Sequence, residues 1–120
     1  MIGSGQQHWS TVHVADLAHF FRLVLEDDRA RGYYIAGDGR NPTVAELTEA
    51  AAVAVDAPGA VPGSGEEARA RVGDYFAEVV LLDQGTSAAT ARDRFGWSPT
   101  HPGLIDELRH GSYSTGLTRG

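Results

Sequence analysis

The sequence predicts a small α/β domain that is mostly helical, with about two short strands and four to five helices. Apolar residues recur at spacings of three and four in several segments, as in helices that pack through one face. Residues 9–14 and 33–36 are rich in β-branched and aromatic side chains, which favour strands. Segments that contain glycine and proline separate these elements and have the composition of turns.

The chain has the length of one domain, since 120 residues can bury roughly two-thirds of the surface that the unfolded chain exposes. Residues 1–7 are polar and contain glycine, so we expect a flexible lead. Residues 114–120 are expected to form a flexible tail. The predicted domain therefore covers residues 8–113.

The first predicted unit is a strand at residues 9–14 that runs into a helix. Asp16 is interpreted as the helix cap, because a carboxylate readily accepts the free N–H groups of a first turn. The apolar face of this helix consists of Leu17, Phe20, Phe21, Val24 and Leu25. A second short strand is expected at residues 33–36, ending at a glycine turn over residues 37–39.

Capping patterns predict two helices in the middle of the chain. Thr43 and Glu46 form a capping box for a helix over residues 43–56, and Ser64 with Glu67 offers a second. The helix after Ser64 carries an apolar set that consists of Val72, Tyr75, Phe76, Val79 and Val80. Its charged beginning is interpreted as solvated helix surface, with a ligand-binding arginine as the alternative.

Two shorter helices are expected near the end. Ser87 can cap a helix that continues to Arg94, and Gly96 suits the left-handed conformation common just past a helix. Pro102 is placed to open a last helix that ends at Gly111.

Composition excludes several kinds of chemistry. All ten basic residues are arginines, and the chain contains no lysine and no cysteine. Schiff-base catalysis, a catalytic thiolate, disulfides and cysteine-type zinc sites are therefore excluded. The net charge of −6 opposes binding to nucleic acid. The sequence lacks both a secretion signal and the run of ~20 apolar residues that a membrane span needs, so we expect a cytoplasmic protein with no membrane partner.

Two motifs carry a resemblance to a known family. They are Trp-Ser-x-Val-His-Val-x-Asp-Leu-Ala at residues 9–18 and Phe-Gly-Trp-x-Pro at residues 95–99. Together they resemble the C-terminal, substrate-binding part of NAD-dependent epimerase/dehydratases, the extended and atypical short-chain dehydrogenase/reductases. The resemblance implies that His8, Trp9 and Ser10 reach a substrate cleft.

The departures from that family concern the cofactor. Gly3 and Gly5 precede a predicted strand, whereas a dinucleotide loop requires a strand before the glycines and a helix after them. The family's Tyr-x-x-x-Lys pair cannot exist without lysine. We therefore expect no cofactor to bind this chain alone.

Three residues are candidates for catalysis: His13 as base, Asp16 as the group that orients it, and Tyr33 as proton donor. The alternatives are a cap for Asp16, a packed histidine for His13 and core packing for Tyr33. A metal site of His13, Asp16 and His19 has acceptable ligand types, but its spacing matches no familiar zinc motif, so no metal is predicted. His101 and His110 are interpreted as surface residues or as partners of helix C-termini.

The predicted substrate-binding residues are His8, Trp9, Ser10, Tyr34, Asp38 and Arg40. Trp9 offers a flat ring for stacking, although an ordinary core or interface tryptophan is equally consistent with the pattern. Asp38 and Arg40 flank a turn near a predicted strand end, where small-molecule sites are common, while turn chemistry explains Asp38 equally well.

Two functions remain open. In the first, the chain is a cofactor-independent enzyme of the isomerase or cyclase type, acting on an apolar, oxygenated metabolite in an epimerase-like cavity. In the second, it is a non-catalytic substrate-binding or interaction half of a split or decayed epimerase or reductase. Either way, apolar faces that a cofactor domain would cover need a partner, which we expect to be a second copy of the chain or a separate protein.

Overall fold

The computed structural model describes residues 1–113, which form six helices. These are α1 (Val14–Leu25), α2 (Val44–Ala54), α3 (Gly65–Val72), α4 (Asp74–Leu81), α5 (Ala89–Phe95) and α6 (Leu104–His110). Helix α1 packs on α5, α2 on α6, and α3 on α4. No helix in residues 1–113 has the length and apolar character needed to cross a bilayer. The predicted tail, residues 114–120, lies outside the described residues.

The predicted α/β class is wrong, because residues 1–113 contain six helices and no β-strand. The segments expected to be strands make only isolated backbone bonds. Trp9 N–H donates to the Pro42 carbonyl at 2.9 Å, and Asp38 N–H donates to the Thr11 carbonyl at 2.8 Å. A strand requires a continuous ladder with a neighbour, and local residue preference does not supply that neighbour.

Helix α1 begins at Val14, so the expected strand end and the expected cap are also wrong. The N-cap is His13, whose Nδ1 accepts the Ala15 N–H at 3.1 Å. Asp16 lies inside the first turn and its side chain is buried. The carboxylate is therefore free to bind a distant segment instead of its own helix end.

Both capping boxes are confirmed. The Thr43 hydroxyl accepts the Glu46 N–H at 3.1 Å, and the Ser64 hydroxyl accepts the Glu67 N–H at 3.1 Å. The single helix expected after Ser64 is in fact two helices, because Gly73 has φ 80° and ends α3 before α4 begins.

The two last helices end where predicted and start differently. Gly96 follows α5 with φ 60°, and Gly111 follows α6. The N-cap of α5 is Ala88 instead of Ser87, and α6 begins at Leu104, after Gly103, instead of at Pro102.

The main core cluster joins α1 to the chain around α5. Phe20, Ala88, Ala91 and Trp97 are buried, and the Trp97 side chain is fully buried. Tyr34 and Phe95 pack around them, with ring centroids 5.0 Å apart.

The beginning of the chain contacts the segment that precedes α3. The Met1 ammonium donates to the Val61 carbonyl at 2.8 Å, and the Gly63 N–H donates to the Gly3 carbonyl at 3.1 Å. The flexibility expected for residues 1–7 stays a prediction.

Candidate functional site

A large apolar cavity lies between α2, α3 and α6 and has a volume of about 740 Å³. Most of its lining side chains are apolar: Met1, Ile2, Trp9, Val44, Leu47, Ala51, Val61, Pro62, Ala68, Val72, Val80, Leu104 and Leu108. The polar side chains at its wall are Thr48, Glu67, Arg71 and Tyr113. A cavity of this size, mostly apolar with a few polar groups, is the usual form of a small-molecule site.

Trp9 is the one predicted binding residue that lines this cavity. Its indole Nε1–H donates to the Val80 carbonyl at 3.1 Å, so the ring is held in place by α4. With its only donor occupied, Trp9 offers a ligand an apolar ring surface and no hydrogen bond.

The neighbours of Trp9 are engaged in structural contacts. The His8 backbone N–H and its ring Nδ1 both lie 2.8 Å from Asp83 Oδ1. Hydrogen bonds from the His8 backbone and side chain lower the pKa of Asp83. The Ser10 and Thr86 hydroxyl oxygens lie 2.5 Å apart. The structure thus places His8 and Ser10 beside the cavity wall and outside the set of residues that line it.

The Asp16 side chain is 3% exposed and holds the segment that leads into α6. Its carboxylate accepts hydrogen bonds from the backbone N–H groups of Thr100 and His101 at 3.1 and 3.0 Å. It also accepts the Thr100 hydroxyl at 3.3 Å and lies 2.8 Å from His101 Nδ1. Burial alone would raise the pKa of Asp16, but the hydrogen bonds from His101 and Thr100 and the His101 charge lower this pKa to about 2.

His101 stacks on His13, with ring centroids 4.4 Å apart and the planes inclined by 6°. An ionised carboxylate only accepts hydrogen bonds, so His101 Nδ1 carries the proton that is donated to Asp16. The other ring nitrogen of His101 is Nε2. His13 Nδ1 accepts the Ala15 N–H and therefore lacks a proton. His13 also lines a smaller cavity of about 420 Å³, together with Glu107 and Tyr113.

The structure brings His13 and Asp16 together around His101 and does not bring Tyr33 to them. The Tyr33 side chain is fully exposed and lines neither cavity. Tyr34 belongs to the core, and its hydroxyl donates to the Arg31 carbonyl at 2.8 Å.

Asp38 and Arg40 form an ion pair of 3.5 Å, with the Asp38 side chain 4% exposed. Arg40 Nη1 also donates to the His101 carbonyl at 3.4 Å. Both residues line a cavity of about 270 Å³ with Thr11 and Gly103. They therefore lie close to the segment held by Asp16, and their binding role stays a prediction.

Neither a metal nor a dinucleotide fits the residues singled out for it. Within residues 1–113, no three His, Cys, Asp or Glu side chains lie close enough together to hold a metal ion. No helix begins directly after Gly3 and Gly5, since the first helix starts at Val14. The space that a side chain would take at these glycines is occupied by Leu81 and Met1. A pyrophosphate needs such space and a helix N-terminus, so these glycines do not form a dinucleotide site.

His101 was interpreted as a surface residue or as the partner of a helix C-terminus, and its contact with Asp16 was not predicted. It stands 85 positions from Asp16, and nothing in either local pattern connects them. The residue that could have indicated this contact is Asp16. Because His13 caps α1, the Asp16 carboxylate is not needed as the cap of its own helix.

No protein family model matches the chain. An uncharacterized protein of Schizosaccharomyces pombe is 31% identical over 112 residues, which cover 93% of this chain and 37% of that protein. An uncharacterized protein of Saccharomyces cerevisiae is 28% identical over 110 residues, covering 90% of this chain and 36% of that one. The chain thus spans a little over a third of the length of these curated relatives.

Among solved structures, the crystal structure of human epimerase family protein SDR39U1 with NADPH matches with a TM-score of 0.72 and 22% identity. The match covers 92% of this chain and 37% of the human chain. The chain therefore has the fold of a part of an epimerase family protein.

Proposed function

We propose that this chain is the C-terminal, substrate-binding part of an epimerase-type protein. Its task is to hold a small apolar molecule, while a separate nucleotide-binding part supplies nicotinamide chemistry. The fold shared with 37% of an epimerase family chain crystallised with NADPH supports this proposal, as do the motifs at residues 9–18 and 95–99.

The observation that carries the proposal is the cavity of about 740 Å³. Its volume falls in the range of about 300–1,000 Å³ typical of small-molecule sites. Its lining is dominated by aliphatic side chains and the Trp9 ring, which favour an apolar ligand.

The geometry around the predicted catalytic residues favours binding over catalysis. His13 Nδ1 is occupied by the cap of α1, and the Asp16 carboxylate is occupied by residues 100–101. Tyr33 is fully exposed and lines neither cavity, so base, orienter and donor do not converge on one point.

Filling the cavity tests the proposal. Ala51 lines the cavity from α2, whereas Val53 on the same helix is 64% exposed and lies outside the lining. Calorimetric titration with 1-decanol and with decanoate is expected to show binding to the wild type. Ala51→Phe should weaken it roughly tenfold or more, since a benzyl group occupies the ligand's space. Val53→Phe should bind as the wild type does, and failure of both probes to bind the wild type would overturn the proposal.

One observation favours a second function, a cofactor-independent isomerase. The buried Asp16 carboxylate orients His101, and an imidazole oriented in this way is a common general base. This function predicts base catalysis without nicotinamide, which 5-nitrobenzisoxazole reports because its ring opens when a base removes a carbon-bound proton. His101→Asn should then abolish the rate above buffer, while His110→Asn should not. Equal rates for the wild type and His101→Asn would reject this function.

We also propose that the outer face of α1 is covered by a second copy of the chain. Val14, Phe21 and Leu25 are 76%, 60% and 82% exposed and follow one another at helical spacing. An apolar stripe of this kind is costly to leave in water, and two-fold homodimers are the commonest assemblies.

A further inference from the structure

We propose that the ligand of the large cavity is an apolar carboxylic acid whose carboxylate binds Arg71. This inference rests on the proposed binding function and specifies the chemical class of the ligand. Arg71 belongs to the charged segment after Ser64, for which the sequence left both solvated surface and a ligand-binding arginine open.

Arg71 lies on the face of α3 that borders the cavity. Four residues of α3 line the cavity, namely Glu67, Ala68, Arg71 and Val72, and their spacings of one, three and four place them on one side of the helix. Arg71 therefore lies on the same side of α3 as Ala68 and Val72, whose apolar side chains line the cavity.

The Arg71 guanidinium has no hydrogen-bond or ion-pair partner within residues 1–113. Arg69, two positions earlier, lies outside the lining and pairs with Glu78 of α4 at 2.6 Å. Of the two arginines in the last turn of α3, the one at the cavity is the one left unpaired. A guanidinium beside an apolar cavity is suited to hold a carboxylate through two parallel hydrogen bonds.

The acidic residue at the same wall is already engaged. Glu67 Oε2 accepts the Ser64 N–H at 2.8 Å as part of the capping box, so its charge is directed to the positive N-terminal end of α3. The other polar groups at the wall are also engaged or are neutral: the Met1 ammonium donates to the Val61 carbonyl at 2.8 Å, the Thr48 hydroxyl donates to the Val44 carbonyl at 2.7 Å, and Tyr113 contributes a phenol. The charged group at the wall that is left without a partner within residues 1–113 is thus the Arg71 guanidinium.

The experiment compares an acid with its alcohol. Calorimetric titrations use decanoate with 1-decanol, and 4-phenylbutanoate with 4-phenylbutanol, so that both a linear and an aromatic body are represented. The wild type is expected to bind at least one acid about tenfold more tightly than the matching alcohol. Arg71→Gln should remove this difference, so that the acid binds no more tightly than its alcohol. Arg109→Gln is the matched control, because Arg109 is also unpaired within residues 1–113 and does not line the cavity.

The outcomes separate the two proposals. If acid and alcohol bind the wild type equally, or if Arg71→Gln keeps the preference for the acid, the carboxylate assignment is wrong while the binding function stands. If none of the four probes binds, both proposals fail. If Arg109→Gln loses the preference for the acid as much as Arg71→Gln does, the effect is due to net charge. The carboxylate assignment is then also wrong.

Discussion

The Asp16 carboxylate and the His101 imidazole lie 2.8 Å apart although 85 positions separate them in the sequence. The same carboxylate accepts two backbone N–H groups of residues 100–101, and the Asp16 carbonyl accepts the Trp97 indole N–H at 3.0 Å. One residue in the first turn of α1 therefore binds three residues of the connection between α5 and α6, namely Trp97, Thr100 and His101.

Asp16→Ala is expected to destabilise the domain by about 2–4 kcal/mol, because it leaves the N–H groups of residues 100–101 without an acceptor. Urea unfolding followed by circular dichroism measures this change. Asp93→Ala, at an exposed position of α5, should stay within about 0.5 kcal/mol of the wild type. Equal midpoints for the two variants would show that the Asp16 contacts add no net stability.

The stability that Asp16 contributes is expected to depend on pH. Its pKa is about 2 in the folded chain against 3.8 as the ordinary value, so the ionised form is favoured by folding. The contribution, about 2 kcal/mol, is fully present above about pH 4 and is lost as the pH falls through about 2. Urea titrations of the wild type and Asp16→Asn from pH 6 downward should show the gap between them closing over that interval. A gap that stays constant would contradict the lowered pKa.

Gly37→Ala is expected to cost about 1–3 kcal/mol, because a Cβ at this buried position would collide with the Thr86 and Ser10 hydroxyl groups. Its backbone is not left-handed, so the cost is steric. The double variant Gly37→Ala/Thr86→Ala should recover part of the loss in thermal unfolding. A double variant less stable than Gly37→Ala alone would show that the hydroxyl pair matters more than the space.

Phe21→Ser is expected to weaken self-association, since Phe21 is 60% exposed at the centre of the apolar stripe on α1. Light scattering at micromolar concentration should show a dimer for the wild type and a larger monomer fraction for the variant. His19→Ser changes an exposed residue of α1 outside the stripe and should leave the dimer intact. A wild type that is monomeric under these conditions would reject the second copy as the cover of this face.

The features predicted correctly from the sequence depend on contacts within four residues. Both capping boxes, at Thr43 and Ser64, and the glycines that end α5 and α6 belong to this class. The predicted strands at residues 9–14 and 33–36 were wrong because pairing depends on a second segment, and neither segment has a ladder partner within residues 1–113.

A residue of the candidate site could be predicted only where its role does not depend on a residue far along the chain. Trp9 was placed in a binding region and lines the large cavity. The task of Asp16 depended on residues 100–101, far along the chain, and Arg71 became distinct from Arg69 only through the position of Glu78. Such differences arise from tertiary packing, which local patterns do not encode.

The link between α1 and residues 97–101 has a consequence for the order of folding. Contacts between residues more than eighty positions apart require the closure of a long loop, so we expect them to form late in folding. Until they form, the Asp16 carboxylate lacks its partners at residues 100–101 and the Trp97 indole N–H lacks its acceptor. In the sequence, the first turn of α1 has the pattern of a local helix start. Its native contacts are nevertheless complete only when residues 97–101 have docked on it.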